Sequence, residues 1–514
     1  WSLDHHIPYP DSIRDLLLLS ERPDRFFLGR KKIPVGSFHP GLGFSRGQLE
    51  SRKDTGRFSL LGFFRQLSIG PGSFRILRLV RAVAAAPARP DPAKESALLR
   101  QPLEPFLAAD RRMMDSIPDP HLKDPAQRAL YWSACNMMRQ EFYPPEGRCR
   151  ENYYVFSREP MWGWGHGGQV FHESLSMLEY VRIDPAGAEG SQLNFADRQQ
   201  PDGYINYRTG PYLDETIPAN GSLTSSAPWY NWENWEIYRQ THDRSFLKRM
   251  YGSGERFFRW FVTHRDSDRD GLCEWGGDPV LESVRDGEVA VWDQVGPPSA
   301  FNSPDLNCML VREARSLEQM ALSLGRRQEA AAWKQDYERR IVLINRYCWD
   351  SVRGFYYNVT LGDHRFTYRK ENDLKRDEII GFLPLWAGVA SPRQARRLVE
   401  KLTDTAAFWR PFGIPSLSAS DSDYNPEGYW NGPVWVQWNY LIERGLLDYG
   451  YRGLAKEIAS RVSANMIAVL GRTHELWELY SPDRNWGGIH RTYIWAGLIN
   501  LMMTDAEGGR PAVN

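Results

Sequence analysis

From Pro125 onward the sequence repeats one pattern, amphipathic stretches of about fifteen residues separated by loops rich in Gly, Pro, Asp and Trp. The clearest stretches cover 126–140, 168–180, 229–241, 245–264, 303–324, 326–348, 378–389, 392–402, 434–448, 451–469 and 492–503. They alternate between segments dense in apolar and aromatic residues, such as 434–447, and segments with one charged face, such as 326–340. Two concentric rings produce that alternation, because an inner helix is covered on most sides while an outer helix keeps a polar stripe in water. The expected fold is therefore all-α, an (α/α)6 barrel, with the loops at the inner helices' ends converging on one funnel.

Residues 1–120 read differently and are expected to form an irregular or partly β N-terminal segment, set apart from a barrel over 121–514. Basic residues from Arg22 to Arg46 outweigh the acids there, and Gly, Ser and Pro interrupt the periodicity. The stretch from Ala84 to Pro92, with closely spaced prolines, reads as a linker.

The chain has 514 residues and a formal net charge of zero, which gives no electrostatic case for a nucleic-acid partner. No apolar run approaches the roughly twenty residues that cross a bilayer, so no membrane partner is expected. The five cysteines are scattered and form no CxxC pair, which argues against a disulfide framework or a zinc site and for a reducing, cytoplasmic setting. A chain that begins at Trp1 leaves room for a removed leader. The sequons at Asn220 and Asn358 matter only in a secreted protein. Asp266, Asp268 and Asp270 open like a calcium loop, but position twelve is Gly277 and Arg269 intrudes, so an Asx-rich turn is expected there in place of a metal site. His166 and His172, six residues apart, do not share a helix face.

Two segments carry chemistry. Leu476-Trp477-Glu478-Leu479-Tyr480-Ser481-Pro482-Asp483 sets a glutamate among aromatic rings, and Glu427-Gly428-Tyr429-Trp430-Asn431-Gly432-Pro433-Val434-Trp435 is a glycine-proline turn dense in indoles. Indole faces match the C–H faces of sugars, and breaking a glycosidic bond takes paired carboxyl groups. A carbohydrate is therefore the expected partner. Together with Gln200-Pro201-Asp202-Gly203-Tyr204, Ser226-Ala227-Pro228-Trp229, Pro304-Asp305-Leu306-Asn307 and Gly381-Phe382-Leu383-Pro384, these motifs occur in an order that resembles the six-hairpin glycosidases, most similar to glycoside hydrolase family 63 and the clan that includes trehalases. The resemblance covers about residues 125–505.

That resemblance implies an (α/α)6 barrel that hydrolyses α-glucosidic or related bonds with inversion, without a cofactor. Glu478 matches the family's base; the plainer reading is a glutamate that caps or salt-bridges a helix end, with Glu475 as the alternative carboxylate. For the acid, anchoring on Ser283 and Arg285 places the family aspartate at Leu281, whose neighbour Glu282 is able to donate a proton. Anchoring on the glycines selects Asp278, and Asp293 is a third candidate. Trp162, Trp164 and His166 stand where relatives carry a sugar-contacting Trp-x-Trp-Asp motif, here without its aspartate. Trp229, Trp275, Arg285, Trp292, Trp430, Asn431, Trp435, Trp477 and Trp486 complete the expected substrate-binding set. Two alternatives remain beside an inverting α-glycosidase on a small glycoside or oligosaccharide: a non-catalytic glycan-binding barrel, which the altered acid segment allows, and a helical-barrel sugar epimerase or isomerase. The latter class relies on histidine pairs, and none of the eleven histidines forms one convincingly.

Overall fold

Asp124, Asp184 and Asp243 each stand one residue before a helix, and their carboxylates accept from the first free backbone N–H groups. These caps help to fix the hairpins of a computed structural model that describes residues 13–21, 25–29, 60–85, 88–158, 167–219, 221–277 and 298–505. The chain divides into two compact units, residues 8–114 and residues 115–514.

In the first unit, β1 (Ile13–Leu19) pairs antiparallel with β4 (Leu79–Ala85), and β2 (Arg25–Gly29) with β3 (Leu60–Phe64). Helices α1 (Pro92–Leu99) and α2 (Glu104–Ser116) follow. The linker expected over 84–92 is thus shorter than its sequence implied. Ala84 and Ala85 are paired in β4, and Pro92 opens α1 at a position where its missing N–H removes no helix bond.

The second unit alternates outer and inner helices. The outer ones are α3 (Pro125–Gln140), α5 (Pro185–Asp197), α7 (Arg244–His264), α9 (Arg327–Tyr347), α11 (Pro392–Leu402) and α13 (Arg452–Thr473). Between them run the inner helices α4 (Met177–Tyr180), α6 (Tyr230–Thr241), α8 (Pro304–Ser323), α10 (Leu383–Trp386), α12 (Val436–Asp448) and α14 (Ile499–Asp505). Each inner helix packs on the next, and the ring closes where the 3₁₀ segment Ser174–Ser176 meets the 3₁₀ segment Ile494–Leu498. Burial follows the rings. In α12 every residue from Val436 to Leu446 is buried, whereas α9 buries only Ala330, Trp333, Arg340 and Ile344. This is the (α/α)6 barrel the periodicity implied.

Three expected helices are only partly α-helical. Only the end of 168–180 is helical, and 378–389 and 492–503 each start as a 3₁₀ turn. At Gly168 the backbone bridges Thr209 in extended form, and a Cβ there would lie 2.9 Å from the Tyr154 ring. Helix α5 was not foreseen. Gly187 and Gly190 weaken its intrinsic propensity, yet packing requires them, since a Cβ on Gly190 would sit 3.0 Å from that of Glu151.

Inner helices also cap one another. Glu313 of α8 accepts from the backbone N–H groups of Asn231 and Trp232, both at 2.9 Å, and from Asn231 Nδ2 at 2.7 Å. A carboxyl thus satisfies free donors in the first turn of α6, where the helix dipole favours negative charge. Burial nevertheless raises the Glu313 pKa to about 7.

Glu141, at the end of α3, is fully buried, and burial pushes its carboxyl up to about 9 against the opposing charge of Arg158. A carboxyl whose pKa is raised on folding binds more protons in the folded state, so stability falls as pH rises from about 4.5 towards 9. In Glu141→Gln, the fall in melting temperature between pH 5 and pH 9 should be smaller than in the unmodified protein. Equal falls in thermal denaturation would show that Glu141 does not hold its proton in the fold.

Candidate functional site

Inner helices begin at one end of the barrel, and the segments leading into them meet there through backbone hydrogen bonds. Val434 and Tyr480 exchange N–H to C=O bonds at 2.7 and 3.0 Å, fastening the entry loop of α12 to the hairpin Trp477–Tyr480/Gly487–Arg491. Ala227 donates to the Val170 carbonyl and Ile494 to that of Phe156, which draws in the loops before α6, α4 and α14.

Glu478 lies on this hairpin and is 1% exposed. Its Oε1 accepts from the Tyr429 hydroxyl at 2.9 Å, and its backbone carbonyl accepts from Trp495 Nε1 at 2.6 Å. Indoles form the surround. Trp430 and Trp435 stack with ring centres 3.3 Å apart at 9°, and Trp435 meets Trp495 edge-on at 5.4 Å. Trp435 Nε1 donates to the Tyr429 carbonyl, which fixes the residue that holds Glu478.

A second carboxyl stands in the same cluster. Glu173 Oε1 accepts from the Tyr493 hydroxyl at 2.8 Å and its Oε2 from Gln169 Nε2 at 3.1 Å, while burial raises its pKa to about 7. Burial, then Glu173 and Glu478, push the Tyr493 hydroxyl well above its ordinary pKa. Burial, then Glu478 and Glu173, do the same to Tyr429. Two tyrosine hydroxyls therefore remain neutral donors facing a pair of glutamates. His172 is fully buried among Phe171, Trp229, Trp430, Trp438 and Trp495, and burial drives its pKa well below the usual histidine value, so its imidazole is neutral.

Of the residues expected at a site, the fold brings together Glu478, Trp229, Trp430 and Trp435. Trp229 donates to the Phe171 carbonyl at 3.0 Å and meets His172 edge-on. Asn431 folds its own loop, accepting from the Tyr429 N–H and donating to the Asp423 carbonyl. Trp275 is fully buried and donates to Asp305 at the start of α8. Trp477 packs between Thr473 and Arg491, and the register of the hairpin shifts between Trp477 and Leu479, at Glu478. Trp486 lies against Gly488 on the same hairpin. Glu475 pairs with Arg491. Trp162, Trp164, His166, Asp278, Glu282, Arg285, Trp292 and Asp293 lie outside the described residues.

Glu173, His172, Gln169, Tyr493 and Trp495 were not among the expected site residues. The one sequence signal for them is Phe171-His172-Glu173 beside a glycine pair, and it carries no spacing that points to Glu478.

Asp266, Asp268 and Asp270 bring carboxylate oxygens within 4.8 Å of one another. Asp266 accepts from the Gly271 N–H and Asp270 from that of Leu272, the local bonds of an Asx-rich turn, while Asp268 accepts from Gly362 and Asp270 pairs with His364, both remote in sequence. Among the described residues no helix is long and apolar enough to cross a membrane.

Residues 176–496, more than half of the chain, match the family described as the mannosylglycerate hydrolase MGH1-like glycoside hydrolase domain, and the chain belongs to that family. A mannosylglycerate hydrolase of Thermus thermophilus is 30% identical over 159 residues, 30% of this chain and 34% of that protein. A periplasmic trehalase of Xanthomonas oryzae is 26% identical over 430 residues, 74% of this chain and 70% of that one. The first curated relatives align over 55%, 34% and 24% of their own length, so the chain spans about half of them or less. A solved GH63 mannosylglycerate hydrolase, also from Thermus thermophilus and in complex with glucose, shares the fold with a TM-score of 0.58 at 19% identity, over 73% of this chain and 99% of that one.

Tyr429→Phe removes the hydroxyl that donates to Glu478. Removing one partner of a buried hydrogen bond costs about 1–3 kcal/mol, and the variant should lose stability of that order in urea denaturation at pH 7. An unchanged midpoint would mean that the bond contributes nothing to the fold.

Proposed function

We propose that this member of the MGH1-like family is an inverting α-glycosidase acting on a small glycoside, with Glu478 as general base. The observation that carries this reading is the buried Glu478 carboxylate, held by the Tyr429 hydroxyl at the mouth of an (α/α)6 barrel and surrounded by Trp430, Trp435 and Trp495. A donor hydroxyl favours the ionised form, which a base that activates water must have. Inversion places that water on the face of the sugar opposite the leaving oxygen, with the acid roughly 6.5–9.5 Å from the base. The acid is assigned to the segment after Trp275, at Glu282 or Asp278, with Asp293 as the third carboxylate. Arg285, His166, Trp162 and Trp164 would hold the sugar beside it. Relatives named mannosylglycerate hydrolases, together with a trehalase, favour an α-mannoside or α-glucoside with a small aglycone.

Glu173 acts as a positioning residue. It fixes the Tyr493 hydroxyl, the Tyr493 ring lies 4.1 Å from that of Trp495, and Trp495 holds the Glu478 carbonyl. The buried, free cysteines favour a reducing compartment.

The deciding experiment follows the anomer released from α-linked mannosylglycerate, glucosylglycerate, trehalose and short oligosaccharides by proton NMR. A β-anomer from an α-linked substrate is expected; an α-anomer would overturn inversion, and silence with binding retained would favour the non-catalytic glycan-binding barrel. In Glu478→Gln, kcat should fall by about 10²–10⁴ with the melting temperature nearly unchanged. Azide replaces the water that a base activates, so it should not restore cleavage of an activated fluoride in Asp278→Ala, Glu282→Ala or Asp293→Ala, and rescue of any of these three would reassign the pair.

Glu173→Gln should lower kcat while leaving KM within about threefold. It should also remove any inflection near pH 7 from the kcat profile, because the variant has no proton to lose there. An unchanged pH profile would reduce Glu173 to packing.

A further inference from the structure

A second concavity, sharing no residue with the Glu478 cluster, lies between α6, α8 and α9. It has a volume of about 250 Å³ and is lined by Trp232, Trp235, Glu236, Arg312, Arg315 and Glu318, among others. Its centre of charge is Arg312. The guanidinium sits 5.5 Å from the ring centre of Trp232 and 5.8 Å from that of Trp386, which themselves meet edge-on at 4.9 Å. Among the described residues it makes no hydrogen bond or ion pair. Cation–π attraction uses none of its five N–H donors.

The carboxylates nearest to it are engaged elsewhere. Both oxygens of Glu236 accept from Arg239, and Asp448 lies 3.8 Å from Arg444. Arg315 donates to the Gly388 carbonyl and lies over the Tyr337 ring. Burial lowers the Arg312 pKa, and Asp448 and Glu236 offset only part of that effect, while Arg315 and Arg444 add to it. A partly desolvated, always charged fork in a cavity walled by indoles matches a bidentate oxyanion. Glu236 and Glu318 on the same wall repel a second negative charge, and Glu318, which already accepts from the Tyr337 hydroxyl, has a further lone pair for a ligand hydroxyl beside the Gln319 amide. The volume, below the roughly 300 Å³ of drug-sized pockets, admits a ligand of only a few heavy atoms.

We propose that this cavity is a second ligand site, which binds a small hydroxy-monocarboxylate through the Arg312 guanidinium, separate from the barrel mouth. The proposal does not depend on the reaction assigned to Glu478, because its test reads binding alone.

The experiment is calorimetric titration of the full chain with sodium L-lactate at constant ionic strength, repeated with sodium phosphate. Saturable binding of lactate is expected, weakened by about tenfold or more in Arg312→Gln and retained in Glu478→Gln and Trp435→Phe. Arg312→Lys keeps the charge but loses the fork, and should also bind about tenfold more weakly. It keeps the test valid if Arg312→Gln does not fold, as judged by circular dichroism. Equal affinity in the Arg312 variants, loss of binding in the two mouth variants, or no saturation below about 10 mM would overturn the proposal. Tighter binding of phosphate than of lactate would overturn the carboxylate class.

Discussion

Two backbone hydrogen bonds between Val434 and Tyr480 join the entry of α12 to the hairpin that carries Glu478, and the arrangement of the barrel mouth follows from them. They set Tyr429 opposite Glu478 and bring the Trp430–Trp435 stack alongside, because all of these residues lie within a few positions of the two bonded ones. The register shift between Trp477 and Leu479 interrupts the strand pair at Glu478, which is buried in the indole cluster while Trp477 packs against Thr473 and Arg491. The clasp joins main chain to main chain, and its geometry does not depend on a rotamer.

Below the mouth, the barrel interior carries many acidic groups. Glu173, Glu233, Glu313 and Glu443 are all buried on the inner ring or its entry loops, and burial raises the pKa of each. Three of them have defined hydrogen-bond donors: Tyr493 and Gln169 for Glu173, Ser174 for Glu233, and the start of α6 for Glu313. Neutral, hydrogen-bonded carboxyls let inner helices pack closely without a burden of like charge. This interior favours mildly acidic conditions, since each such group loses stabilisation when forced to ionise.

Much of this architecture was legible in the sequence. The alternation of strongly apolar and one-faced segments corresponds to inner and outer helices, because burial on all sides leaves a compositional trace. Helix α5 left none, as its glycines answer to the proximity of Glu151, which no local pattern encodes. The mouth was legible in part: Glu478, Trp430 and Trp435 stand in dense motifs, whereas Glu173 and Tyr493 are 320 residues apart and meet only because the ring closes. A one-dimensional reading also placed Trp477 in the site, whereas its indole packs against Thr473 and Arg491, contacts that adjacency in sequence does not encode.

That closure has a consequence for how the protein is made. The first and last hairpins of the ring meet where the Tyr493 hydroxyl reaches Glu173 and the Ile494 N–H reaches the Phe156 carbonyl. During synthesis, Glu173 leaves the ribosome some 320 residues before its partner, an interval of roughly 15–60 s at 5–20 residues per second. Throughout that interval the early helices have an acidic, indole-lined edge with nothing to close it. Completion of the ring and completion of the carboxyl cluster are then one event, and a nascent chain that stops short of Tyr493 would have neither.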